Sequence, residues 1–109
     1  FKIKKANRLA MADCSNLDDA KNAILEGVDI IGTTLAGYVG KQVKDTDKPN
    51  IKLVKEFTKL NCFVMAEGRY NTPELAKQAI QAGADAVTIG SAITRIDNIT
   101  SWFVKKIKN

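Results

Sequence analysis

The chain has no histidine, only two cysteines (Cys14 and Cys62), two prolines and one tryptophan. Without histidine and without a Cys-x-x-Cys spacing, a structural zinc site is excluded, and no metal is expected. Both cysteines fall in or beside expected strands rather than at disulfide or metal-ligand spacing, and they read as small buried hydrophobes. No apolar run approaches the ~20 residues that a membrane span needs. The first residues, Phe1-Lys2-Ile3-Lys4-Lys5, lack the long apolar segment of a signal peptide, so the expected setting is the cytoplasm with no membrane partner. A start at Phe1 rather than Met leads us to expect further sequence upstream.

What is present is globular material: 109 residues, 45% apolar and 27% charged, enough for one core and one small domain. The net charge of +5 raises the question of an anionic partner such as nucleic acid. Seven of the seventeen basic residues (Lys2, Lys4, Lys5, Arg8, Lys105, Lys106, Lys108) cluster near the two ends, however, as a solvated surface would. No nucleic-acid partner is therefore expected.

Four strand-helix units are legible in order. After a helix tail or linker at 2–7, Leu9 to Ala12 reads as a strand ending at Asp13, and Ser15 as the cap of a helix with Asp18 at its third position. Leu17, Ala20 and Ile24 share a face of that helix, which Gly27 stops. Val28 to Gly32 is the second strand, running out through Thr33-Thr34-Leu35-Ala36-Gly37-Tyr38 into a polar loop with Gly40, Lys41, Lys44, Asp45, Asp47 and Lys48. Pro49 is read as opening a helix with a Leu53, Phe57, Leu60 stripe. Phe63 to Ala66 has no alternation, as a strand covered on both faces would. Thr72 and Pro73 then cap and open a helix to Ala82, stopped by Gly83. Ala86 to Ile89 is the fourth strand, and Ile96, Ile99, Phe103 and Ile107 fall on one face of a final helix.

An internal repeat organises these units. Ala20-Lys21-Asn22-Ala23-Ile24 with Gly27 and Asp29 recurs 56 residues later as Ala76-Lys77-Gln78-Ala79-Ile80 with Gly83 and Asp85. Alternating units imply a parallel sheet, and likeness between alternate units suits a (β/α)8 barrel, whose alternate strands feed the same core layers. A whole barrel takes ~250 residues, so residues 1–109 are expected to be one partial domain, half of such a barrel.

A parallel sheet brings its strand ends to one rim: Asp13, Thr33 with Thr34, Glu67 with Arg69, and Gly90-Ser91. Each has a plain structural alternative. Asp13 can be a helix-start carboxylate, the threonines strand formers, Arg69 a solvated cation and Gly90 a turn residue. Glu67 is harder to explain by folding alone, since it follows Phe63-Val64-Met65-Ala66 directly and is flanked by Gly68. Gly90-Ser91 after the last strand suits a phosphate at a helix start, where free N–H groups converge.

The segments Met11 to Ser15, Gly32 to Tyr38, Ala66 to Pro73 and Gly83 to Arg95 together resemble bacterial N-acetylmannosamine-6-phosphate 2-epimerases. The likeness covers almost the whole chain and, in order and spacing, the C-terminal half of that family, so that the four strands correspond to the fifth to eighth. It implies a phosphate-binding (β/α)8 barrel that interconverts N-acetylmannosamine 6-phosphate and N-acetylglucosamine 6-phosphate in sialic acid breakdown without an organic cofactor. It also implies roles: Glu67 as the catalytic carboxylate, Asp13, Thr34 and Arg69 at the substrate, and Gly68, Arg69, Gly90, Ser91 and Arg95 at the phosphate. Two departures stand out. Ile96 follows Arg95 where the family commonly has proline, and the family's acid/base lysine has no match, since it belongs to an N-terminal strand. An N-terminal half-barrel or a homo-oligomer is the expected partner. Other phosphate-binding barrel isomerases, or a half-barrel that binds sugar phosphate without catalysis, are the alternatives, and the Glu67 to Pro73 segment argues against the former.

Overall fold

The computed structural model describes residues 2–37 and 48–109. Tyr38 and the expected loop residues Gly40, Lys41, Lys44, Asp45 and Asp47 lie outside the described residues, as does Phe1. In chain order the elements are α1 (Lys2–Lys5), β1 (Met11–Asp13), α2 (Leu17–Leu25), β2 (Ile30–Gly32), α3 (Ile51–Phe57), β3 (Phe63–Glu67), α4 (Pro73–Gln81), β4 (Ala86–Thr88), α5 (Ser91–Thr94) and α6 (Ile96–Lys108).

The strands form one parallel sheet in the order β1-β2-β3-β4. Each new strand is added on the same side, with no reversal of direction. A doubly wound sheet reverses at a switch point, whereas a barrel never does. Because parallel crossovers share one hand, helices following such strands lie on one face of the sheet. Val64 and Ala66 are buried on that face with Leu53, Val54 and Phe57 of α3 and Ala79 of α4.

The other face of β3 is less covered. Phe63 is 43% exposed and burial alternates along the strand, so the expectation of a strand covered on both faces is corrected. The apolar run is written for two covered faces, and these units supply the cover for one.

Local chemistry shifts several boundaries. The N-cap of α2 is Asn16, not Ser15: its side chain accepts the Asp19 N–H at 2.9 Å. Asp19 reaches back past the cap to accept from the Ser15 N–H and hydroxyl, a variant of the reciprocal cap that starts one residue later than expected. These bonds from Ser15 hold the Asp19 carboxyl below its ordinary range. Likewise Asn50 caps α3 by accepting the Leu53 N–H, so Pro49 precedes the cap instead of opening the helix. Thr72 and Pro73 do cap and open α4.

The repeat has a structural counterpart. Gly27 and Gly83 stand just past α2 and α4 with φ of +83° and +103°. Asp29 accepts the Ala10 N–H at 2.7 Å while its own N–H donates to the Ala10 carbonyl; Asp85 does the same with Val64. Each repeat therefore ends in an aspartate that clips its strand to the preceding one. In α6, by contrast, no residue is buried, and Ile96, Phe103 and Ile107 are exposed despite their common face. Among the described residues no helix is long and apolar enough to cross a membrane.

Candidate active site

The rim at the carboxyl ends of the strands is built by a difference in strand length. Gly32 ends β2 level with Met65, but β3 runs two residues further, to Glu67. Thr33 and Thr34 leave β2 beside that overhang. Thr33 is 3% exposed; its N–H continues the ladder to the Met65 carbonyl, and its hydroxyl accepts the Glu67 N–H at 3.0 Å and donates to the Glu67 carbonyl at 2.9 Å. A side chain thus takes over where the strand-to-strand bonds stop. By sequence Thr33 reads chiefly as a strand former; the signal for its role is a hydroxyl residue directly after the last glycine of a strand.

The next residue joins two carboxylates. The Thr34 hydroxyl lies 2.9 Å from Asp13 Oδ1 and 3.0 Å from Glu67 Oε2, so three of the expected site residues, drawn from three different strand ends, meet at one oxygen.

The turn after β3 is wound through left-handed backbone, with φ of +98° at Gly68 and +63° at Arg69. The glycine takes that conformation freely; the arginine does so at a cost of about 1–2 kcal/mol, as any residue with a Cβ would. The turn aims Arg69 back across the sheet, and its Nη1 donates to the Ala36 carbonyl at 2.7 Å. Arg69 is therefore a tie between the second and third strand-end loops. Tyr70 beside it is buried, and burial pushes its hydroxyl up to about 12.

Gly90 and Ser91 follow β4, whose Thr88 is level with Glu67. Gly90 is the N-cap of the short helix α5, and a Cβ added there would meet nothing within 4 Å. Arg95 is paired with Asp97. Its Nε and Nη2 donate to the two oxygens of Asp97 at 3.0 and 2.6 Å, which raises the arginine's pKa and lowers the aspartate's. Cys14, next to Asp13, is buried, and its thiol is pushed up to about 11, first by that burial and then by Asp19 and Asp13. Among the described residues, no group of three potential metal-ligating side chains is found.

The family model described as "Putative N-acetylmannosamine-6-phosphate epimerase" matches residues 1–109. A "Putative N-acetylmannosamine-6-phosphate 2-epimerase" of Haemophilus influenzae is 53% identical over 108 residues, 99% of this chain and 46% of that protein. A "Bifunctional enzyme NanE/NanK" of Brucella melitensis is 54% identical over 101 residues, 93% of this chain and 19% of that protein. Among solved structures, the N-acetylmannosamine-6-phosphate 2-epimerase from Clostridium perfringens superposes with a TM-score of 0.91 at 39% identity, covering 96% of this chain and 46% of that one. The chain thus spans about half the length of the single-function relatives it matches, in keeping with four units of a barrel of eight.

Proposed function

Because the chain belongs to the N-acetylmannosamine-6-phosphate epimerase family, we propose that it forms one half of a (β/α)8 barrel that inverts C2 of N-acetylmannosamine 6-phosphate to give N-acetylglucosamine 6-phosphate. The observation that carries this reading is the meeting of Asp13 and Glu67 across Thr34 at the carboxyl end of the sheet, the rim where barrels do their chemistry. We read the four strands as the fifth to eighth. In support, the last is followed by a short extra helix, Ser91–Thr94, the arrangement barrels use for phosphate after their final strands.

In the opened sugar the C2 hydrogen is acidified by the C1 carbonyl. Its removal leaves an enolate-like intermediate, and protonation on the other face inverts the centre. Such a step needs a positioned acid/base pair and groups that stabilise charge as it develops. Glu67, with its backbone clamped by Thr33 and its carboxylate met by Thr34, is the group we assign to that work, together with an amine from the other half-barrel. Asp13, Thr34 and Arg69 are assigned to the sugar. Gly68, Arg69, Gly90, Ser91 and Arg95 are assigned to the phosphate, which anchors the substrate away from the reacting carbon. For this, Arg95 shares or exchanges its Asp97 partner. The remaining four units come from the same polypeptide or from a second chain, and the proposed setting is the cytoplasm.

The test is a complete barrel containing these residues, given N-acetylmannosamine 6-phosphate in deuterated water. Proton NMR should show the N-acetylglucosamine epimer with deuterium at C2. Absence of epimer, or epimer that keeps its C2 hydrogen, would overturn the reading.

A further inference from the structure

Two carboxylates of like charge approach a single oxygen on this rim, and that oxygen carries one hydrogen. The Thr34 hydroxyl, 2.9 Å from Asp13 Oδ1 and 3.0 Å from Glu67 Oε2, can donate to only one of them at a time. It is partly buried, so water screens the pair less than it would on an open surface. Gly32 packs close to the hydroxyl on one side. A Cβ on Gly32 would sit 2.5 Å from Met11 Cε, 3.2 Å from Thr34 Oγ1 and 3.6 Å from Asp13 Oδ1. The glycine at the end of β2 thus keeps a methyl group out of tight contact with the Thr34 hydroxyl. The neighbouring Thr33 fixes the backbone of Glu67 but touches neither carboxylate in these bonds.

We propose that Thr34 is a positioning residue of the epimerase: its hydroxyl holds the Glu67 and Asp13 carboxylates in fixed relation, beyond any contact it makes with the sugar. This rests on the epimerase reading of the site. Removing the hydroxyl leaves two negatively charged groups facing each other with no hydrogen between them. Repulsion then drives the two carboxylates apart, and the longer Glu67 side chain has the more rotatable bonds through which to move. Serine keeps the hydroxyl and valine keeps the shape, so the two substitutions separate the bond from the packing.

The experiment compares wild type, Thr34→Val and Thr34→Ser in a complete barrel containing these residues, by steady-state kinetics with N-acetylmannosamine 6-phosphate and by crystal structures. Losing a hydrogen bond to a charged group predicts a fall in kcat of roughly tenfold to a hundredfold for Thr34→Val, larger than any rise in KM from the lost sugar contact. Thr34→Ser should return to within about threefold of wild type, and the structure of Thr34→Val should show Glu67 Oε2 moved away from Asp13. Unchanged kcat in Thr34→Val, a loss confined to KM, or a serine variant as poor as the valine would each overturn the proposal. If wild type itself fails to epimerise, the activity reading falls, and the crystal structures still decide: carboxylates in the same places with and without the hydroxyl would refute the positioning role.

Discussion

Thr33 and Glu67 are joined through one hydroxyl that meets both backbone groups of a single residue: Thr33 Oγ1 accepts the Glu67 N–H at 3.0 Å and donates to the Glu67 carbonyl at 2.9 Å. The residue assigned the central chemical role is therefore fixed by a side chain from a neighbouring strand, at a point where its own strand outruns that neighbour. The glycine and left-handed arginine that follow turn the chain away at once. A carboxylate at the end of a strand would otherwise share the mobility of its loop.

Thr33→Val should expose the value of that clamp. The site is 3% exposed, so both backbone groups of Glu67 lose a partner where water replaces it poorly. We expect a loss of about 1–3 kcal/mol per orphaned group, read as a lower denaturant midpoint of the complete barrel, with Thr33→Ser close to wild type. Equal stability of the two variants would show that the hydroxyl bonds contribute little.

Substitutions on the two sides of the site should separate chemistry from anchoring. Glu67→Gln keeps size and removes charge, and should abolish most epimerisation while leaving sugar-phosphate affinity within about an order of magnitude. Ser91→Asp puts a negative charge against the phosphate and should weaken binding by more than about tenfold, read by calorimetry. Near-normal turnover in the first variant, or unchanged affinity in the second, would remove that residue from its assigned role.

The two repeat glycines should differ when replaced by alanine, although both have positive φ. At Gly27 an added Cβ meets nothing within 4 Å, so only the left-handed backbone resists, at about 1–2 kcal/mol. At Gly83 the Cβ lands 3.1 Å from Thr58 Cγ2 and adds crowding to the same strain. Thermal melts should rank Gly83→Ala below Gly27→Ala; the reverse order would count against the packing around Thr58.

Asp29 gives a pH dependence with a defined sign. Its carboxyl is held below the ordinary 3.8, first by the Lys4 side chain and then by the Ala10 N–H. The stability this contributes is fully present above about pH 4 and is lost as pH falls through the lowered folded value. Asp29→Asn should accordingly flatten the fall in melting temperature on the acid side of pH 4 and leave the slope above it unchanged. An acid limb as steep as wild type would refute the linkage.

Residues 1–109 by themselves should not behave as a monodisperse monomer. β1 and β4 are both edges of the sheet, and Leu9, Phe63 and Phe103 are exposed. Edges of this kind template further pairing until a barrel closes over them. Light scattering should report dimers or larger species, and a cooperatively melting monomer would show that four units suffice.

Local chemistry settled much of this molecule in advance. Apolar runs of four or five residues, helix caps such as Thr72-Pro73 and stop glycines such as Gly27 act within a few residues of themselves, so the order of four strand-helix units was readable directly, and the 56-residue repeat pointed to a barrel. Asp13, Thr34 and Glu67 could be named as candidates because strand ends in parallel sheets share a rim. Which atoms meet was another matter. That Asn16 rather than Ser15 caps α2, that Arg69 turns back to Ala36, that Arg95 pairs with Asp97, and that one threonine clamps a backbone while the next bridges two carboxylates all depend on register and side-chain reach. The exposure of α6 and of Phe63 was likewise invisible in their apolar patterns. A pattern records which surface is suited to burial; only the three-dimensional arrangement decides whether anything lies against it.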